Sequence, residues 1–131
     1  MLELVTPEDV RDHLQIDNDA YDRWMAIWIP AVSAAVASWL KDPWRLYMVA
    51  RDAQGNILED SAGEPIVLDD SSGDPIVNPT VQAATLIELA QQRRFTDGSG
   101  AAAVPATAGH GYVLGAGATS LLNALRKSTV A

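Results

Sequence analysis

WMAIWIPAVSAAVASWL, residues 24–40, carries no charged side chain, and its reading decides the fold. The stretch is 17 residues long, contains Pro30 and is rich in Ala and Ser, so it sits at the short, weakly apolar edge of what spans a bilayer. A buried helix of a soluble protein is the better reading. At helical spacing Trp24, Trp28, Ala31, Ala35 and Trp39 form one stripe, and Met25, Ile29, Val32, Val36 and Leu40 form a second beside it. Between them Ala26, Ser33, Ala37 and Ser38 are small and uncharged. A helix apolar all round needs cover on every side, either from the rest of its own chain or from other subunits.

The neighbouring residues set the ends of this helix. Asp17-Asn18-Asp19 offers a cap and Asp42-Pro43 a stop, which predicts a long helix from about Asp19 to Lys41. Pro30 removes one backbone donor and predicts a bend near Ile27 to Pro30. Upstream, Thr6-Pro7-Glu8-Asp9 reads as an N-cap, a proline at the first helical position and acids at the positive helix end, opening a short helix to about Leu14.

Downstream the pattern changes. Asp52-Ala-Gln-Gly55, Asp60-Ser-Ala-Gly63 and Asp70-Ser-Ser-Gly73 each put Asp first and Gly fourth, as in a type I turn. Each is followed by a β-favouring pair: Ile57-Leu58, Ile66-Val67 and Ile76-Val77. With Leu46 to Ala50 as an opening strand, residues 46–77 are expected to form an inserted β-hairpin or small meander, an acidic tongue. Residues 52–74 hold seven acids and no base, Asp60, Glu64, Asp69, Asp70 and Asp74 among them. Calcium is the sharper reading of such loops, but the D-x-D-x-D-G spacing with a Glu at the twelfth position is missing, so a solvated acidic tongue is preferred.

Asn78-Pro79 caps a third helix, in which Val81, Ala84, Leu86 or Ile87, and Ala90 recur before Arg93-Arg94. Residues 96–117 read as a flexible linker, and residues 118–131 as a C-terminal helix and tail with Leu121, Leu122 and Leu125, helical over about Thr119 to Lys127. The fold class is therefore mainly α: one small helical bundle, residues 1–131, with an inserted β-tongue.

Composition narrows the function. The chain has 17 acids against 9 Lys plus Arg, a net charge of -8, which argues against gripping DNA through its phosphates. Without cysteine there is neither a disulfide framework nor a thiolate zinc site, and His13 and His110 are too far apart in sequence to suggest a metal pair. The acidic start MLELVTPEDV does not read as a secretion signal. Gly115-Ala-Gly117 before a helix hints at a dinucleotide turn, but Ser120 stands at the third glycine position and the rest of a βαβ unit is lacking. No G-x-S-x-G elbow surrounds a serine that might join His13 and Asp22 in a triad. Neither an enzyme nor a cofactor is expected.

The order of elements, VTPEDVRDHLQIDNDAYDRWMAIWIPAVSAAVASWLK, then VNPTVQAATLIELAQQRR, then GATSLLNALRK, resembles the head-tail connector (adaptor) proteins of tailed bacteriophages. The resemblance lies in residues 4–41, 78–94 and 119–127, and rests on a pattern of helices rather than on a chemical motif. Residues 42–77 are longer than the usual family connection, and Val113-Leu114-Gly115 stands where a Leu-Pro is common. The resemblance implies a virion part in the neck, assembled in the host cytoplasm. It would form a homo-oligomeric ring of about a dozen copies between the portal protein and a stopper or tail-completion protein, with DNA passing through. On that view Trp24, Trp28, Ile29, Val32, Val36 and Trp39 supply the subunit interface, while Leu121, Leu122, Leu125 and Arg126 supply the portal contact. The alternative is a small acidic protein-binding or regulatory module with no viral role.

Overall fold

The computed structural model describes residues 2–96 and 114–126. It is mainly helical: α1 is Pro7–Leu14, α2 Asp22–Leu40, α3 Pro79–Thr96 and α4 Ala116–Leu122, with a 3-10 turn at Pro43–Leu46. Helix α3 is the hub, packing against α1, α2 and α4.

The start of α1 follows from its residues. The Thr6 side chain accepts the Asp9 N–H at 3.1 Å, and the Asp9 carboxylate accepts the Thr6 N–H at 3.0 Å, so two end donors are satisfied reciprocally. Helix α2 begins later than expected. Its cap is Tyr21, with no side-chain hydrogen bond. Asn18 instead accepts the Ala20 N–H and so closes the turn that precedes the helix. Helix α2 runs unbroken through Pro30, and the Ala26 carbonyl that loses its amide partner lies on an exposed turn where water can reach it.

Of the two stripes on α2, the Met25, Ile29, Val32, Val36 and Leu40 stripe faces the core. There it meets Leu4, Val5 and Val10, with Val81, Ala84 and Leu89 of α3, Leu114 just ahead of α4, and Ala118 and Leu122 of α4 in the same cluster. Burying a side chain of this size contributes about 1.5 to 3 kcal/mol. By length and composition α2 would also pass as a membrane span, but Met25, Ile29, Val32, Ser33, Val36 and Leu40 are turned into this core.

The inward stripe of α3 starts as expected with Val81 and Ala84 but then departs from the expected line. Val81, Ala84, Thr85, Glu88, Leu89 and Gln92 are buried, whereas Ile87 is exposed and Leu86 and Ala90 are half-buried. Polar residues on the buried stripe hide it from an apolar periodicity. Helix α4 likewise departs from expectation by starting at Ala116, with Gly115 as its cap and Leu114 in the core, so residues 114–117 belong to a packed element rather than to a linker. Residues 97–113 and 127–131, the rest of the expected linker and the tail, lie outside the described residues.

The expected hairpin or meander of regular strands does not form. Leu46 belongs to the 3-10 turn, and residues 47–77 are joined only by isolated antiparallel bridges, such as Tyr47 with Val77 and Val49 with Val67. The reason is branching. The Met48 N–H donates to the Ile76 carbonyl, Ile76 to Leu68, and Leu68 back to Met48, at 2.8, 2.9 and 2.9 Å. A second closed ring runs from Ala50 to Ile66, Ile66 to Leu58 and Leu58 to Ala50, at 2.9, 3.0 and 2.9 Å. Each segment exchanges partners at a ring before a ladder can lengthen.

From these rings project the lobes 52–56, 60–64 and 70–74, one for each Asp-x-x-Gly repeat. In each lobe the Gly N–H returns to the Asp carbonyl, and the Asp carboxylate accepts the N–H groups two and four residues on. Gly55, Gly63 and Gly73 have φ of 84°, 81° and 85°, a region that side chains disfavour, which fixes glycine at the fourth place of every repeat.

Candidate functional site

Among the described residues, two surfaces and one clamp stand out. The first surface is the outer side of α2. Ile27 is 58% exposed, and Ala31, Ala34 and Ser38 continue the exposed line. Trp24, Trp28 and Trp39 flank it, half-buried. Tyr21 meets Trp24 edge-on at 6.1 Å and Trp24 lies 6.3 Å from Trp28, so the first turns carry an aromatic row along one edge. Farther along, a shallow depression between α2 and α4 is lined by Ala31, Ala34, Ala35, Ser38 and Arg126, among others.

Of the expected interface residues, Trp24, Trp28 and Trp39 thus remain at a surface. Ile29, Val32 and Val36 do not: they are at most 1% exposed, spent on the chain's own core, and cannot meet another subunit without unfolding. The members of this surface outside the expected interface set are Ile27, Ala31, Ala34 and Ser38. Small residues give a weak sequence signal on an apolar helix, and only the choice of inward stripe reveals them.

The clamp holds α4. The buried Glu88 carboxylate accepts the Gly115 N–H at 2.8 Å, placing a negative group at the start of the helix, and also accepts from Gln92 at 3.2 Å. At the other end Arg45 donates to the Leu125 carbonyl at 2.8 Å and to Asp42 at 2.9 Å. Arg126 lies 4.4 Å above the Trp39 ring. Among the expected portal-contact residues, Leu121 and Leu125 are half-buried and Arg126 is exposed. Leu122 is fully buried in the core and offers no contact.

The second surface is the tongue. Asp60, Glu64, Asp69, Asp70 and Asp74 are all exposed. In Asp52 the N–H of Asn56 above all, helped by those of Gln54 and Gly55, holds the carboxyl below its ordinary value of 3.8 despite an opposing effect of burial. The acids that open the turns are thus structural parts of those turns.

No three of His, Asp and Glu converge as metal ligands among the described residues. His13 is exposed, and His110 lies outside the described residues. Asp22 pairs with Arg11, and the Ser120 hydroxyl donates to the Ala116 carbonyl at 2.7 Å. Compared with protein-family models, curated proteins and solved structures, the chain finds no match.

Proposed function

We propose that this chain is a structural assembly protein, a head-tail connector of a tailed bacteriophage that forms a ring between the portal and a stopper or tail-completion protein. The observation that carries the reading is the outer side of α2, where Ile27, Ala31, Ala34 and Ser38 stay open along an otherwise apolar helix. Small side chains let another helix approach closely, and a ring supplies one neighbour per copy through a heterologous, closing contact. Charge is compatible: at -8, the chain has little tendency to hold DNA that must slide through a channel. The helix order quoted above adds the resemblance, and the α4 clamp would present Leu121, Leu125 and Arg126 on a fixed helix end.

The test is a pair of substitutions on the open side, Ala31→Glu and Ala34→Glu, in a chain mixed with the portal ring encoded nearest to it. Native mass spectrometry should show several copies of the original chain joining the portal and none of the variant, with circular dichroism unchanged. If the folded variant joins as well as the original chain, α2 is not the ring contact. If the original chain also stays free, the connector reading fails and the small binding-module reading replaces it.

A further inference from the structure

Apart from the Gly55, Gly63 and Gly73 bonds inside the lobes, the backbone hydrogen bonds that build the tongue are made by even-numbered residues, from Met48 and Ala50 through to Ile76. Alternate side chains of an extended chain take opposite faces, so Met48, Leu58, Ile66, Leu68 and Ile76 share one face of the tongue. Exposure agrees: these five are 37 to 40% exposed, while the odd-numbered Tyr47, Val49, Ile57, Val67 and Val77 are half-buried. Among the described residues, the large hydrophobics left exposed number seven, and five of them are these ring residues. The concentration makes a patch rather than the scattered apolar exposure of an ordinary surface. The same even register carries Asp52, Asp60, Glu64, Asp70 and Asp74, the acids among the residues that close the lobes around the rings, so the apolar centre is rimmed by carboxylates.

We propose that this even-numbered face is a docking surface for another protein whose contact patch is apolar at its centre and ringed by Lys and Arg. The charge pattern selects that occupant. Residues 52–74 carry seven acids and no base, so a second tongue would meet it with like charge. Anionic lipid headgroups and nucleic-acid phosphates are repelled for the same reason. A cationic rim gains from every lobe, while the five apolar side chains supply the area removed from water. The inference stands on the tongue alone and holds whether or not the chain forms a ring on a portal.

The experiment is an amide-resolved NMR titration of the full chain with peptides of equal length, built from Lys and Leu, from Glu and Leu, or from Lys and Ser. The Lys/Leu peptide should shift the amides of Met48, Leu58, Ile66, Leu68 and Ile76 saturably, and the other two should not. Leu68→Ser with Ile76→Ser should weaken that binding about tenfold, and high salt should weaken it too. Glu64→Lys with Asp74→Lys, which leaves the apolar centre intact, should transfer preference to the Glu/Leu peptide. Equal shifts by the Glu/Leu or the Lys/Ser peptide would overturn the proposal. So would Lys/Leu shifts confined to α2, no shifts at all, or tongue signals that broaden with protein concentration alone, which would mark a second copy as the occupant.

Discussion

Glu88 on α3 and Gly115 at the start of α4 are joined by a single 2.8 Å hydrogen bond, from the Gly115 backbone N–H to a carboxylate buried in the bundle. That contact bridges a sequence separation of 27 residues, and it fixes where the last helix begins. Glu88→Ala leaves the Gly115 donor without its carboxylate, and losing a hydrogen bond to a charged group costs about 1.5 to 3 kcal/mol. The expected outcome is a lower urea midpoint, with amides of residues 116–122 exchanging faster while those of α1 keep their protection.

Arg45 should act at the other end of the same helix. Its guanidinium serves the Leu125 carbonyl and Asp42 together and lies 4.5 Å over the Trp44 ring. Arg45→Ala is expected to cost about 1 to 3 kcal/mol. Arg45→Lys should recover less than half of that, because an ammonium cannot serve both acceptors and stack on the ring. Equilibrium unfolding of the two variants decides it.

Inside the core, the Ser33 hydroxyl accepts the buried Leu4 N–H at 3.0 Å and so anchors the chain ahead of α1 to α2. Ser33→Ala removes the acceptor and strands the donor, for a cost of about 1 to 3 kcal/mol. The loss should appear in the thermal midpoint and in faster exchange at Leu4.

In the tongue, Asp52 gives a pH dependence with a definite sign. Its carboxyl titrates below 3.8 in the folded lobe, chiefly because the Asn56 N–H donates to the charged form. The stabilisation is therefore present above the unfolded value and is lost as pH falls through the folded one. Amide shifts of Gln54 and Asn56 should report a midpoint below 3.8, and Asp52→Asn should abolish the transition.

How much of this was legible in the sequence depends on whether a signal is local. The cap at Thr6 and Asp9, the proline start of α3 and the Asp-x-x-Gly turns are written in neighbouring residues, and they form. What escapes needs partners distant in sequence. Glu88 and Gln92 lie on the buried stripe of α3, where an apolar periodicity passes over them. The hold of Arg45 on Leu125 spans 80 residues. The branching of the tongue has no local marker either, because each strand-like pair favours β structure equally and nothing in it says that the rings will exchange partners. Ile29, Val32 and Val36 read as interface residues in the sequence because two apolar stripes on one helix look alike until one of them is buried.

The central claim is that this chain builds a ring beneath a portal. Electron cryomicroscopy of the full chain mixed with the portal encoded nearest to it tests that most directly. The account predicts a closed ring of added density on one end of the portal, with the outer side of α2 between neighbouring copies. A portal left bare at saturating concentration of the folded chain would contradict it.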